Sequence, residues 1–215
     1  MVSYQRARNP ERKEERRQLL LGAARRLIAA RPLQEIAIAE VAAEAGLAKG
    51  TVYLYFATKE ELFLALTEDE LWSWFAEVDA RLESLRVSSP RHLAHVLVEA
   101  LAARPMLPRL LSWLHTVEQN LDEAAARRYK ATVLERVALT GARLEALLTL
   151  SPGEGARALL VLNALGVGLA QMAMPSPLIA RLLDELQLAP LRVDFVPALE
   201  RAFGDLLVGM TRRNP

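Results

Sequence analysis

The 215-residue chain contains no cysteine, which excludes a disulfide scaffold, a cysteine-ligated zinc site and a thiol nucleophile. It has no Walker or Rossmann glycine fingerprint and no Gly-x-Ser-x-Gly sequence, so the common nucleotide-binding and serine-hydrolase sites are not indicated. No segment shows the sustained apolar and polar alternation of a β-strand. Hydrophobic residues make up 52% of the chain, enough to fill a core. These features favour a helical protein that is not an enzyme.

The chain also has almost no net charge, because its 27 Lys and Arg and 26 Asp and Glu sum to +1. The balance conceals an uneven distribution. Residues 1–60 contain 11 basic and 7 acidic side chains, a net charge of +4, whereas the rest of the chain carries −3. A basic N-terminal part is typical of a module that binds phosphates, although a solvated helix face gives the same pattern.

Helical periodicity runs through most of the sequence. Gly46 predicts the end of a short helix, and Thr58 with Glu61 has the capping-box spacing that begins a long one. Pro and Gly divide the remaining two-thirds into further helices. We therefore expect an all-α fold of about nine helices, with an N-terminal three-helix unit followed by a larger C-terminal helical bundle.

The most apolar segment, residues 156–174, just reaches the length of a membrane span. Arg157 and the frequent Ala and Gly favour a buried or interfacial helix instead. Ser151 and Pro152 predict its start, as N-cap and first helical residue. Residues 1–10 are polar and basic and lack the apolar stretch of a secretory signal. We expect a cytoplasmic protein with no membrane partner.

Residues 38–55 have the pattern of a helix-turn-helix. Val41 and Ala42 pack the first helix, Gly46 permits the turn, and Val52 packs the second helix. The opposite face combines a cation, a hydroxyl, an aromatic ring and a glycine, in Lys49, Gly50, Thr51, Leu54 and Tyr55. This composition suits a helix that enters the major groove of DNA.

The run from Ile38 to Leu62 contains Ala-Gly, Lys-Gly-Thr, Tyr-x-Tyr-Phe and Lys-Glu-Glu-Leu in order, and it resembles the DNA-binding signature of the TetR family of bacterial transcriptional regulators. The resemblance implies a homodimer that binds a palindromic double-stranded DNA operator and a small-molecule effector. The matching positions imply DNA contacts from Lys49, Gly50, Thr51, Tyr53, Leu54, Tyr55 and Lys59. Among these we assign Gly50 and Thr51 to base edges, and Lys49, Tyr55 and Lys59 to phosphates.

The uneven charge predicts a basic arm (residues 1–12). The resemblance implies a helix-turn-helix domain (13–58) and a dimerisation and effector domain (59–215). Arg6, Arg8 and Arg12 of the arm are candidate contacts to the DNA backbone or minor groove. Two positions depart from the family pattern. Ala37 and Ala48 stand where the family usually has a hydroxyl residue, and a lost helix cap costs about 0.5–2 kcal/mol.

An effector pocket is expected to be concave and largely apolar, with a few polar groups. Candidate lining residues are Trp72, Phe75, His95, Trp113, Gln119, Asn120, Asn163 and Met172, with Met106, Thr116 and Tyr129 as further candidates. Asn163 and Gln171 are the most suggestive, because a buried amide needs a partner, which is a ligand, another helix or the second subunit. Gly166 and Gly168 would permit close helix approach, which favours this helix at the dimer interface.

His92, His95 and Glu99 share one helix face, but ligands on a single helix do not usually converge on a metal. We therefore predict no metal site and no cofactor. The sequence as a whole predicts a repressor that a small-molecule effector releases from its operator. The alternative is the same fold regulated by a protein partner instead of a small ligand.

Overall fold

A computed structural model of the chain describes residues 10–212, with side chains from residue 12 onwards, and every regular element in that range is helical. The α-helices are α1 (Pro10–Ala30), α2 (Ile38–Glu44), α3 (Lys49–Val52), α4 (Lys59–Glu83), α5 (Pro90–Ala102), α6 (Met106–Glu118), α7 (Glu123–Leu148), α8 (Glu154–Ala173), α9 (Pro177–Leu182) and α10 (Phe195–Arg212). Two 3-10 helices cover Leu33–Glu35 and Ala189–Leu191. The predicted all-α class is confirmed, with ten α-helices in the described range against the expected number of about nine.

The chain forms two compact units that separate between Leu66 and Thr67, within α4. The domain boundary predicted from the sequence, between residues 58 and 59, lies at the start of α4, eight residues before this division. Each unit has its own apolar core. The core of the first unit includes Leu20, Leu21, Ile28, Val41, Val52, Leu62, Phe63 and Leu66, each at most 1% exposed.

Ion pairs fix α2 against α1 in the first unit. Arg26 Nε lies 2.6 Å from Glu44 Oε1, and Arg31 Nη2 lies 2.5 Å from Glu40 Oε1. Exposed pairs of this kind contribute little stability, roughly 0–1 kcal/mol each. The buried apolar residues therefore supply most of the stability of this unit.

In the second unit, α8 packs against α6, α7 and α10, and α10 also packs along α5. The contact between α7 and α8 is close because two glycines face each other. A Cβ atom built on Gly155 would lie 2.0 Å from the carbonyl oxygen of Gly141. Only residues without a side chain permit that approach. The Glu145 carboxylate of α7 also accepts hydrogen bonds from the backbone N–H groups of Gly153 and Gly155, at 2.8 and 2.9 Å.

The predicted start of α8 at Ser151 and Pro152 is wrong. The helix begins at Glu154, and its N-cap is Gly153 in the left-handed region with φ 88°. The Glu145 carboxylate binds the Gly153 N–H, which a Ser151 cap would have reached, and also the Gly155 N–H further along the chain. A side chain from a neighbouring helix has thus replaced the local cap, and sequence spacing alone does not reveal such a replacement.

By length and composition, α8 is the one helix within residues 10–212 that could cross a membrane, although a core helix passes the same test. Its most apolar window is 28% buried within the fold. Gly166 is in the buried part, where a Cβ would lie 3.7 Å from Leu101 and 3.9 Å from Leu199, whereas Gly168 faces open space. Of the two glycines expected at a dimer interface, only Gly168 is therefore on the surface of the chain.

Candidate nucleic-acid interface and regulatory cavity

The turn between α2 and α3 has the hydrogen bonding of a Schellman motif. The Leu47 N–H donates to the Ala42 carbonyl at 2.8 Å, and the Gly46 N–H donates to the Ala43 carbonyl at 3.0 Å. Gly46 adopts φ 68°, a left-handed conformation that glycine reaches without steric cost. The end of α2 predicted at Gly46 is therefore confirmed, and the turn directs the chain into α3.

The recognition helix α3 is shorter than expected. We predicted a helix from Lys49 to about Tyr55, but it ends at Val52. Tighter turns follow, in which the Leu54 N–H donates to Thr51 and the Tyr55 N–H donates to Val52, at 3.1 and 2.9 Å. Val52 is fully buried and Phe56 is 4% exposed. These two anchors hold the segment between them at the surface.

The predicted DNA contacts lie along this segment. Lys49, Gly50, Tyr53 and Leu54 are exposed, and Thr51 and Tyr55 are half-buried. A Cβ built on Gly50 would meet nothing within 4 Å, so another molecule can approach its backbone closely. Within the described residues, Lys49 makes no ion pair, so its charge is available to a phosphate. We call residues 49–55 the recognition surface.

Lys59, the seventh predicted contact, is held within the first unit. Its Nζ donates to the Gln34 carbonyl at 3.1 Å and lies 5.5 Å from the centre of the Phe63 ring. Partial burial lowers the pKa of its ammonium group. A phosphate contact by Lys59 would therefore have to share the ammonium with the loop that carries Gln34.

One of the two positions that lack a hydroxyl cap keeps part of a capping box. The Ala37 N–H donates to Glu40 Oε2 at 2.8 Å, which is the half of a capping box that needs no side chain on Ala37. That hydrogen bond, together with Arg31, lowers the pKa of Glu40. At α3, Ala48 provides no side-chain cap, and its carbonyl accepts from the Thr51 N–H at 2.8 Å.

The cap predicted for α4 is present. Thr58 Oγ1 accepts a hydrogen bond from the Glu61 N–H at 3.1 Å. The Glu61 carboxylate accepts a hydrogen bond from the Ala57 N–H at 2.7 Å. In an ideal capping box it would accept from the N–H of the N-cap itself, which is Thr58.

Basic residues on the first turns of α1 extend the positive charge of the first unit. Arg12, Lys13 and Arg16 are exposed. Arg17 has a structural role, since its guanidinium lies 5.8 Å from the centre of the Phe56 ring and 3.5 Å from Glu14 Oε1. Arg6 and Arg8 of the predicted basic arm lie outside the described residues.

The second unit contains a cavity of about 190 Å³ between α4, α5, α6, α7 and α8. Most of its lining is aliphatic or aromatic, including Leu71, Phe75, Leu107, Val133, Val137 and Leu162. Its polar lining residues are Tyr129, Lys130 and Asn163. Because Lys130, Asn163 and the apolar Leu160 are exposed, we place the mouth beside them. This arrangement has the concave, mainly apolar character of a small-molecule site.

Tyr129 is a buried phenol in the lining of the cavity. Its side chain is 3% exposed, and its ring is tilted by 37° against the Trp72 ring, with centroids 6.2 Å apart. Burial raises the pKa of the Tyr129 phenol, and the Glu118 and Glu68 carboxylates raise it further. The phenol is therefore protonated at neutral pH and can donate a hydrogen bond.

Both parts of the chain match models of one protein family. Residues 20–66 match the model for "Bacterial regulatory proteins, tetR family", and residues 68–214 match "Tetracyclin repressor-like, C-terminal domain". The chain belongs to the TetR family. The resemblance inferred from the recognition motif is thereby confirmed, and the chain is a transcriptional regulator and not an enzyme. No curated protein sequence matches it.

Solved structures of regulatory proteins share the fold. The regulator PfmR from Thermus thermophilus has a TM-score of 0.59 and 17% identity, over 89% of this chain and 97% of that one. The fatty acid degradation regulator FadR from Bacillus halodurans has a TM-score of 0.59 and 16% identity, with the same coverage. A TetR regulator from Rhodococcus sp. RHA1 is 26% identical, over 93% and 98% of the chains, with a TM-score of 0.54.

In this TetR-family chain, the predicted effector residues do not all converge. Phe75, Asn163 and the further candidate Tyr129 line the cavity, and Trp72 contacts two of them through its ring. The other predicted residues occupy different places. The exposed His95 ring lies 3.2 Å from the Glu200 carboxylate. The side chains of Gln119 and Asn120 are exposed at the end of α6, and Met172 is 59% exposed. Trp113 is half-buried on α6 and does not line the cavity.

Of the α7 residues that line the cavity of this TetR-family chain, only Tyr129 was predicted from the sequence. Tyr129, Val133 and Val137 follow one another at intervals of four residues and line the cavity together. That spacing is a helical stripe, and it was the signal available in the sequence. No group of three or more His, Asp or Glu suited to a metal occurs within the described residues.

Proposed function

We propose that this TetR-family regulator is a repressor that binds a palindromic operator as a homodimer and is released by a small, largely apolar effector. The observation that carries the DNA-binding part is the recognition surface, which presents exposed Lys49 and open Gly50 on a helix fixed by buried Val52. Gly50 and Thr51 would approach base edges, with Lys49 and Tyr55 at phosphates. Such an arrangement suits insertion into the major groove.

Selection from random duplex DNA with the full chain tests this part. We expect a palindromic consensus whose half-sites lie about one helical turn apart, ~34 Å, or somewhat more. Lys49→Gln should weaken DNA binding, because one phosphate contact is lost. The slope of log affinity against log salt concentration should become shallower by about 1 per subunit. Arg127→Gln, which removes an exposed cation from α7, is the control and should leave both unchanged. Enrichment of no sequence would refute the proposal.

The homodimer is proposed to form through α8. Exposed residues without a polar side chain recur every four positions along α8, at Leu160, Ala164, Gly168 and Met172. They form a stripe with little side-chain bulk at its centre. Exposed apolar stripes of this kind mark protein interfaces. Gly168→Glu should yield a monomer that folds, since open space surrounds that position, while Ala124→Glu on α7 should remain dimeric. A dimeric Gly168→Glu protein in sedimentation analysis would exclude this interface.

The effector is proposed to occupy the cavity of the second unit. A cavity of about 150 Å³ with apolar walls is large enough for benzene. The cavity here, about 190 Å³, therefore suits a molecule of about one ring or a short aliphatic chain. The protonated Tyr129 hydroxyl and the Asn163 amide favour an effector with one hydrogen-bond acceptor. α4 contributes Leu71 and Phe75 to the cavity and begins at Lys59, so movement of this helix would transmit binding to the DNA-binding unit.

A thermal-shift screen of small apolar compounds tests the effector site. A ligand at 100 times its Kd stabilises the protein by about 2.7 kcal/mol, which corresponds to a rise in Tm of roughly 5–10 °C. The same ligand should release operator DNA. Val137→Phe fills the cavity and should abolish both effects, while Leu139→Phe on the exposed face of α7 should preserve them. If no small molecule stabilises the chain, regulation by a protein partner becomes the favoured alternative.

A further inference from the structure

The recognition surface contains one aliphatic side chain that is almost completely exposed. Leu54 is 76% exposed, more than any other large hydrophobic residue described in the first unit. Leu19 on α1, at 55%, and Tyr53, at 47%, are the others. Full burial of a leucine side chain is favourable by about 1.5–3 kcal/mol, so this surface retains apolar area that a bound partner can cover.

The outward position of Leu54 is imposed by its neighbours. Val52 and Phe56 are buried on either side of it, and the Leu54 N–H is bonded to the Thr51 carbonyl. The side chain therefore cannot turn into the core without loss of these anchors. Lys49 lies on the same surface, and Arg12, Lys13 and Arg16 add positive charge to the unit, which favours a polyanion as the partner.

A leucine side chain offers DNA no hydrogen bond. Against a phosphate it would desolvate a charge without compensation, which is unfavourable. In the major groove, the apolar group that distinguishes one base from the others is the C5-methyl of thymine. Among the groups that DNA presents there, this methyl is the one that a leucine contacts favourably.

We propose that Leu54 determines operator specificity by packing on the C5-methyl group of a thymine in each half-site. This inference rests on the proposed DNA-binding function and names one base that the function leaves open. Two subunits provide two equivalent contacts, so the thymine should occur at symmetric positions of the palindrome.

The test removes the methyl group from the DNA. The operator is first selected from random duplexes with the full-length dimer, and each thymine is then replaced in turn by deoxyuridine, which pairs identically but lacks the methyl. Burial of one methyl is favourable by about 0.8 kcal/mol, which is about fourfold in affinity per half-site and about fifteenfold for both. We expect this loss at one symmetric pair of positions. Replacement of that T·A pair by 5-methylcytosine·G should be tolerated better than replacement by C·G.

Two variants connect the effect to Leu54. Leu54→Ala should bind thymine and deoxyuridine operators equally at that pair of positions, while Leu19→Ala, which removes the exposed leucine on α1, should keep the full preference for thymine. Unchanged Tm and helicity in Leu54→Ala establish that the variant is folded, as expected for a truncation at the surface.

Three results overturn the inference. Sequence-specific binding with no thymine sensitive to loss of its methyl would leave the proposed function standing and refute the role of Leu54. A sensitive thymine whose effect persists in Leu54→Ala would assign the contact to another side chain. Failure of the selection to enrich any sequence would refute the DNA-binding function and this inference together.

Discussion

The contact between Gly141 and Gly155 leads to a prediction with a definite sign. Gly155→Ala places a Cβ atom 2.0 Å from the Gly141 carbonyl oxygen and 2.7 Å from its carbon. Both atoms belong to backbone, so the clash cannot be relieved by rotation of a side chain, and α7 and α8 must move apart. Overpacking costs typically 1–3 kcal/mol, and we expect the upper end of that range, about 3 kcal/mol.

Helix propensity partly offsets this cost. Alanine is favoured over glycine inside a helix by up to about 1 kcal/mol, so the net destabilisation should be about 2 kcal/mol. For a chain of this size, each kcal/mol changes Tm by roughly 2–4 °C. We therefore expect Gly155→Ala to lower Tm by about 4–8 °C.

The assay is thermal unfolding of both proteins at one fixed concentration, because dimerisation makes Tm depend on concentration. Gly209→Ala is the matched control. It makes the same substitution in α10 of the same unit, where a Cβ meets nothing within 4 Å, so it should stabilise the protein by about 0.5–1 kcal/mol. A Gly155→Ala protein as stable as wild type, or more so, would refute the argument that these glycines set the spacing of α7 and α8.

Two further predictions concern helix termini in the first unit. Thr58→Ala removes the hydroxyl that accepts from the Glu61 N–H, and it should cost about 1 kcal/mol and lower Tm by roughly 2–4 °C, whereas Thr58→Ser should retain most of the stability. The pKa of Glu40 is lowered because its carboxylate accepts a hydrogen bond from the Ala37 N–H and pairs with Arg31. Its charge therefore stabilises the fold above the unfolded pKa of about 4.5, and this contribution disappears as the pH falls through the folded pKa. Denaturant titrations from about pH 7 to about pH 3 should show Glu40→Gln less stable than wild type at neutral pH, with a difference that shrinks as the pH falls below about 4.5. A constant difference across that range would contradict the assignment.

Local signals in the sequence predicted the first unit well. The turn at Gly46, the cap at Thr58 and the buried positions Val41 and Val52 all depend on residues within a few positions of one another. Short-range hydrogen bonds and helical spacing control these features, and both can be read from a single sequence. The length of α3 was overestimated because the turns after Val52 keep side chains in nearly helical register.

The second unit was predicted less completely. Helix existence followed from periodicity, but Ser151 was wrongly chosen as a cap because Glu145, on another helix, binds the N–H groups at the start of α8. Gly166 was expected at a dimer interface, yet it packs beneath Leu101 and Leu199. In each case a contact between distant segments took precedence over the local pattern.

The sequence by itself therefore determined the helical class, the family and the segment that we propose as the DNA-binding surface, because periodicity, caps and a motif of fixed spacing are properties of neighbouring residues. Tertiary structure alone decided which side chains enclose the cavity, since its walls come from five helices whose faces meet only after packing. It also decided which apolar residues remain outside. Leu54 and Leu62 are both leucines near the recognition helix, but the fold buries Leu62 completely and leaves Leu54 exposed.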